Sequence, residues 1–360
     1  MRLPGLVDAH VHLRTPGGEH KEDFRTGSMA ALAGGFTTLL AMPNTNPPLV
    51  TAENWSIAQQ LAKSHSLCDV FLYAGGSAEH IAELPALSHS AIALKLYLDQ
   101  TYGPLRVQGL ETLQKIMGLW PASKPICLHA EQESIAVGVA LAALYRKPIH
   151  FCHVSRKDEI ELIAKAKAEG LPVTCEVTPH HLFLTEADAL RLGPYADMRP
   201  RLASQVDVDA LWQHLGSTID CIASDHAPHA HWEKQGYNTE AEWRQNPGRI
   251  GPNPIPPGIP GLESTLPLML TALSQKRLSL ERLIQLLHTN PTRIFHLPAQ
   301  PDTWVEVDPA QSYTFPDHPL YTKCGWSPFE GTRMTGAIRQ VVLRGKEVVS
   351  NGKVIDPPNS

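Results

Sequence analysis

From the start of the chain to about residue 297, short apolar runs alternate with longer stretches whose apolar positions recur every three or four residues. The apolar runs fall at 6–13, 37–42, 69–74, 91–97, 125–130, 149–154, 173–177 and 219–223. They are short, and several are rich in β-branched residues, so each reads as a buried strand. Helical spacing fills 53–64, 109–119, 133–144, 157–169 and 207–215 between them. Strands alternating with helices predict a parallel sheet. Eight such units in about 300 residues predict an α/β fold of the (β/α)8 TIM-barrel kind. An open doubly wound sheet is the alternative, and no GxGxxG follows a strand to favour it.

After residue 303 the pattern changes. Segments 304–307, 312–314, 337–343 and 347–350 read as short strands, with Arg344-Gly345-Lys346 as the turn before the last. The expected organisation is a barrel over 1–300 and a small C-terminal β segment over 301–360 that packs on it. The first barrel strand follows Met1 almost at once, so this appendage is expected to form its sheet nearly alone. The stretch 229–260 is rich in Pro, Gly, Asn and charge and has no clear period. It reads as a long loop, and long loops in compact domains are often functional. His231, Trp232 and Trp243 within it are candidates to edge a pocket or an interface.

Composition narrows the function. Hydrophobic residues make up 42% and charged residues 19%, which is globular rather than disordered. A net charge of −5 gives no general attraction to nucleic acid or anionic membrane. No run approaches the ~18 apolar residues of a membrane span. Asp8, His10 and His12 interrupt the first apolar stretch, which argues against a signal peptide. None of the six cysteines forms a CxxC pair, and several sit inside strand-like runs. They read as buried thiols in a reducing, cytoplasmic compartment.

The 18 histidines change the picture most. Catalytic residues of a TIM barrel gather at the C-terminal ends of its strands. The first run ends in Asp8-Ala9-His10-Val11-His12, and positions i and i+2 of a strand face one side, so both imidazoles can reach one ion. The fifth run ends in His129 and the sixth in His153, and Ser224-Asp225-His226 follows the eighth. Each alone could be a packed core residue, but together and in barrel order they point to a site. Lys95 lies inside the apolar fourth run, where its charge must be removed or paired. A neutral amine there can add carbon dioxide and become a carbamate whose two oxygens can bridge two cations. The alternative is a lysine that snorkels to the barrel rim.

These residues resemble the amidohydrolase superfamily and, within it, the dihydroorotase family. Within that family they are similar to the dihydroorotase domain of multifunctional animal pyrimidine-synthesis enzymes. The likeness runs through nearly the whole chain. It rests on Asp8-Ala9-His10-Val11-His12-Leu13-Arg14, Ala41-Met42-Pro43-Asn44-Thr45, Leu94-Lys95-Leu96-Tyr97-Leu98, His129-Ala130-Glu131-Gln132, Cys152-His153-Val154-Ser155, Cys175-Glu176-Val177-Thr178-Pro179-His180-His181 and Ser224-Asp225-His226-Ala227-Pro228-His229. HxH alone is weak; these stretches in this order are specific.

The resemblance implies a zinc-dependent enzyme that reversibly cyclises N-carbamoyl-L-aspartate to L-dihydroorotate, the third step of de novo pyrimidine synthesis. It implies that His10, His12 and Asp225 hold one Zn2+ and His129 and His153 a second. Carboxylated Lys95 would bridge them, and Asp225 would also shuttle the catalytic proton. Arg14, Asn44 and His229 would bind the substrate carboxylate. Arg199 and the backbone at Gly258 would touch the ring, although Arg199 can also be read as a loop arginine paired with Asp197 or Asp207. Cys152 and Glu176 would serve a third zinc; the other reading is a buried thiol and a carboxylate that orients a ligand histidine. Thr101 and Tyr102 fall in a segment similar to a flexible loop that closes over substrate; an ordinary surface loop is the alternative. A homodimer and association with aspartate transcarbamylase are also implied. Two other functions stay open. One is another cyclic amidase of the allantoinase or dihydropyrimidinase type. The other is an inactive homologue that scaffolds the transcarbamylase.

Overall fold

The computed structural model describes residues 1–355, so the last five residues of the 301–360 segment lie outside the described residues. The barrel strands are β2 (Leu6–Val11), β3 (Phe36–Ala41), β4 (Asp69–Leu72) with β5 (Ala74–Gly75), β6 (Leu94–Tyr97), β7 (Ile126–His129), β8 (Ile149–Phe151), β9 (Val173–Val177) and β10 (Cys221–Ile222). All pair in parallel, in the orders β2-β3-β4 and β10-β9-β8-β7-β6-β5. The third apolar run is split at Tyr73, whose N–H turns to Ala41 O at 3.0 Å while Ala74 N–H reaches Ala93 O at 3.0 Å. The other seam closes through the Val11–His226 bridge and His12 N–H to His226 O at 2.7 Å. The result is the expected eight-unit barrel.

Strand alternation explains its two-sided burial. On β7, Ile126 and Leu128 join the cluster that faces the outer helices, while Cys127 joins a second cluster with Val7, Ala9, Leu40, Ala93 and Cys221. All six cysteines are free and buried, and three of them (Cys127, Cys152 and Cys221) fill this inner layer as small apolar groups. Local signals set the outer helices. Ser204 caps Gln205–His214 by accepting from Asp207 N at 3.4 Å, and Asp207 answers by accepting from Ser204 N at 3.1 Å. The helices Phe24–Ala33 and Leu262–Ser274 were not expected from the sequence; the first is small-residue rich and the second nearly all buried, so neither shows a polar face.

The C-terminal segment required two corrections. The runs 304–307 and 312–314 are one strand, β11 (Trp304–Thr314), whose pairing shifts register between Asp308 and Ser312. The appendage also does not form its sheet nearly alone. β1 (Arg2–Pro4) pairs antiparallel with β11, giving the order β1-β11-β12-β13-β14 with β12 (Arg333–Leu343), β13 (Lys346–Ser350) and β14 (Lys353–Val354). Arg344 and Gly345 have φ of 50° and 77°, which makes the expected turn a primed one suited to a hairpin. Helix Leu262–Ser274 joins this sheet to the barrel, with Thr335 N–H donating to Thr271 Oγ1 at 2.9 Å. The stretch 229–260 is not wholly irregular: it holds short helices at His231–Lys234 and Glu240–Arg244. Among the described residues no helix is long and apolar enough to cross a membrane.

Candidate active site

The candidate residues meet at the C-terminal mouth of the barrel. His10 is the last residue but one of β2, where the β2–β3 register shifts between Asp8 and Val11, an irregularity of the kind that re-aims side chains beside active sites. Its Nδ1–H donates to Glu176 Oε1 at 2.5 Å, which leaves Nε2 free, 3.3 Å from Asp225 Oδ1. His12 Nδ1–H donates to Asn44 Oδ1 at 2.7 Å, and its Nε2 lies 3.1 Å from the same Asp225 oxygen. Two imidazole nitrogens and one carboxylate oxygen thus converge, each ring held by a second hydrogen bond that fixes which nitrogen faces inward.

Across the mouth, His129 Nδ1 and His153 Nε2 face each other at 2.9 Å. His153 Nδ1 is buried without a partner. Lys95 is fully buried and places Nζ 2.9 Å from Cys152 Sγ and 5.2 Å from the Tyr97 ring. It does not snorkel. Cys152, Glu176 and His10 bring one ligand atom each within 4.8 Å of one another, as do His10, His12 and Asp225. Glu176 also spends Oε2 on His150 Nε2 at 3.1 Å, so it orients His10 whether or not it ligates.

Electrostatics agree with a site for cations. Burial pushes His12 down to about 4 and His153 well below the ordinary imidazole range, so both present neutral nitrogens. Burial alone would raise Asp225, but its interactions with the adjoining His10 and His12 rings hold it well below the usual carboxylate range. Buried imidazole nitrogens and an ionised carboxylate form a donor set that fits divalent metal. Asp225 and His153 also have φ of 46° and 36°, left-handed values that cost energy and concentrate at functional sites.

The expected substrate residues line the adjoining wall. Arg14 is not presented by strand alternation, because β2 ends at Val11 and Arg14 has φ of 59°. A turn delivers its guanidinium to Pro228 O through Nε at 3.1 Å and beside His229 Nε2 through Nη2 at 3.1 Å. Asn44, with its oxygen held by His12, directs Nδ2 to Tyr102 O at 3.3 Å. Tyr102 covers the pocket edge-on to His229, with Arg14 5.3 Å from its ring centre. Thr101 beside it is half-buried. Gly258 has φ of 141°, and a Cβ there would fall 2.4 Å from Ala227 O, so only glycine lets this backbone lie against His229. Arg199 is half-buried; Asp207 is engaged by Ser204 and Lys157 rather than by it. Its charge reaches Glu131, where burial opposes but hydrogen bonding to His129 and the charges of His129 and Arg199 lower the carboxyl.

Sequence reading missed several buried polar residues here. Lys21 contacts His229 and Tyr102, and Glu233 contacts Lys21 at 2.8 Å. Lys234 donates to Asp197 O, Pro256 O and Gly258 O at 2.9, 3.1 and 3.1 Å. Glu22 receives His226 Nε2 at 3.2 Å. Lys21 and Glu22 stand in a charged run without period, and Glu233 and Lys234 in the 229–260 excursion, so no pattern flagged them. Of the excursion aromatics, Trp232 stacks on His20 at 5.3 Å and His231 on Trp243 at 5.9 Å, which braces this edge of the pocket. Arg14, Lys21, Asn44, Tyr102 and Glu233 border a cavity of about 420 Å³.

Comparison with known proteins gives a consistent picture. A family model described as dihydro-orotase-like matches residues 1–111. The chain is 45% identical over 359 residues to multifunctional protein CAD of Squalus acanthias, covering 99% of this chain and 15% of that protein. It therefore spans about one-seventh of that relative's length. It is 31% identical over 369 residues to a dihydroorotase of Pyrococcus furiosus, covering 99% of this chain and 83% of the relative. Among solved structures, an L-hydantoinase (dihydropyrimidinase) from Arthrobacter aurescens matches with TM-score 0.88 and 26% identity, over 99% of this chain and 87% of that one.

Proposed function

Because the chain belongs to the dihydroorotase family, we propose that it interconverts L-dihydroorotate and N-carbamoyl-L-aspartate at the barrel mouth. One observation supports this reading: Arg14, Asn44 and His229 lie beside the clustered His12 and Asp225, where they could receive a carboxylate. Cyclic amides without a carboxylate give that pocket nothing to bind.

His10, His12 and Asp225 would hold one cation, and His129 and His153 a second, with Lys95 as its carbamate between them. Cys152 and Glu176 are the further donors for a third. Two divalent ions, zinc by the chemistry of these donors, would supply a hydroxide at neutral pH and polarise the ring amide carbonyl. Asp225 accepts the proton released on attack and gives it to the amide nitrogen as the C–N bond breaks; in the cyclising direction it moves the proton back. Arg14 and the Asn44 amide hold the substrate carboxylate, which fixes the ring carbonyl relative to Asp225. Arg199 and the Gly258 backbone contact the ring, and Thr101 and Tyr102 close over it to exclude water. In this reading residues 1–300 carry the chemistry and the described part of 301–360, up to residue 355, buttresses the barrel. The protein acts in the cytoplasm as a homodimer, with aspartate transcarbamylase as its partner.

The test is hydrolysis of L-dihydroorotate beside dihydrouracil and allantoin. Turnover of L-dihydroorotate alone supports the reading. Preference for an uncharged ring would assign the site to the hydantoinase-like amidases, and no turnover of any ring would leave a scaffold.

A further inference from the structure

Lys21 is a buried lysine on the loop between β2 and helix Phe24–Ala33, with no role in the chemistry above. Its ammonium meets three groups from distant parts of the chain: Glu233 Oε1 at 2.8 Å, Tyr102 Oη at 3.0 Å and His229 Nδ1 at 3.1 Å. It also lies 4.7 Å from the centre of the Tyr102 ring. An ammonium has donors only, so its contact with Nδ1 is a hydrogen bond only if that nitrogen carries no proton. The proton of a neutral His229 then sits on Nε2, which lies 3.1 Å from Pro257 O and can donate to it. The rival arrangement has Nδ1–H donating to Glu233, whose Oε2 is farther away at 3.7 Å.

This assignment changes the meaning of the neighbouring contact. Arg14 Nη2 and His229 Nε2 are 3.1 Å apart. With Nε2 protonated, both are donors and neither satisfies the other. An anion placed at that edge accepts from Arg14 Nη2 and takes the His229 Nε2–H in exchange for Pro257 O. Resting on the function proposed above, we infer that Lys21 is a specificity-determining positioning residue. It fixes the Nε2–H form of His229, turns the Arg14–His229 edge into a two-donor clamp for a carboxylate, and latches the Tyr102 hydroxyl over the filled pocket. Glu233 contributes from the excursion by neutralising Lys21, and it is held in place by Ala230 N at 2.9 Å and His20 Nε2 at 3.2 Å. The clamp and its cover thus share one ammonium, which links carboxylate recognition to closure.

The experiment uses the full metal-loaded chain labelled with [15N]histidine, with His229→Asn identifying the His229 signals. The wild type is expected to carry its proton on Nε2, and Lys21→Met to move it wholly or partly to Nδ1. In the same proteins, loss of a charge-assisted contact should raise KM for L-dihydroorotate about tenfold or more, with kcat changed by less than about threefold. Tyr102→Phe keeps the ring, loses the latch and should raise KM roughly threefold. A proton on Nδ1 in the wild type, or a tautomer indifferent to Lys21→Met, would overturn the inference. If Lys21→Met does not fold, the wild-type spectrum and Tyr102→Phe decide, since a Tyr102→Phe KM equal to wild type removes the latch. A wild type that does not turn over L-dihydroorotate defeats the proposed function, while the spectra still decide the role of Lys21.

Discussion

Replacing Arg14 by methionine keeps an unbranched apolar stem but removes the guanidinium and its charge. The guanidinium is buried, and its Nε is already committed to Pro228 O at 3.1 Å. Nη1 and the Nη2 edge beside His229 remain for a ligand, which suits a paired contact with a carboxylate. Two charge-assisted hydrogen bonds contribute about 1.5–3 kcal/mol each, and part is offset by water that can enter the enlarged pocket. A net loss of about 3 kcal/mol corresponds to a rise in KM of roughly a hundredfold. The carboxylate is remote from the bond that breaks, so its binding is nearly equal in ground and transition states and kcat should fall much less. Arg14 touches none of the proposed metal donors, so metal content should not change. Steady-state kinetics with L-dihydroorotate and metal analysis of the same preparation check both statements. A KM within threefold of wild type, or loss of metal with unchanged KM, would refute the assignment of Arg14 to the carboxylate.

Three other outcomes are expected. Lys95→Ala should lose the bridging carbamate and nearly all turnover, and short carboxylic acids added to the assay should restore part of it; near-normal activity without them would contradict a bridging role. Gly258→Ala forces a side chain into left-handed backbone against Ala227 O and should cost roughly 2–4 kcal/mol; thermal unfolding checks this, and an unchanged midpoint would show that the loop has room to move. Glu263 receives Tyr321 and Thr322 N–H groups at 3.0 Å, but burial raises its carboxyl from 4.5 to about 8. The folded state then holds a proton that the unfolded state releases, so this contribution is full below pH 4.5 and is lost as pH rises through about 8. Denaturant unfolding across pH 5–9 should show wild type losing stability relative to Glu263→Gln; parallel curves would argue against it.

The barrel and the clustering of the proposed metal donors at its mouth were legible because both follow strand period. Each of β2, β7 and β8 is an apolar run ending at or just before a histidine, and period two tells which side chains share a face. Lys95 stood out because a charge inside an apolar strand needs a reason. The proposed anion pocket was legible only through motif resemblance. Arg14 reaches it by a left-handed turn rather than by alternation. Lys21 was invisible for a related reason: its partner His229 lies 208 residues away, and both sit in segments with no repeating pattern. The pairing of β1 with β11 escaped notice because a three-residue strand is too short to show a period.

The central claim is that the clustered His, Asp and Lys side chains form a metal centre that opens and closes the dihydroorotate ring. The most direct measurement is hydrolysis of L-dihydroorotate by the purified protein, with metal determined on the same sample. The account predicts turnover that tracks metal content, with at least two zinc ions per chain in the active protein and loss of both on chelation. A preparation with its full metal complement and no turnover of L-dihydroorotate, or turnover that survives removal of the metal, would contradict it.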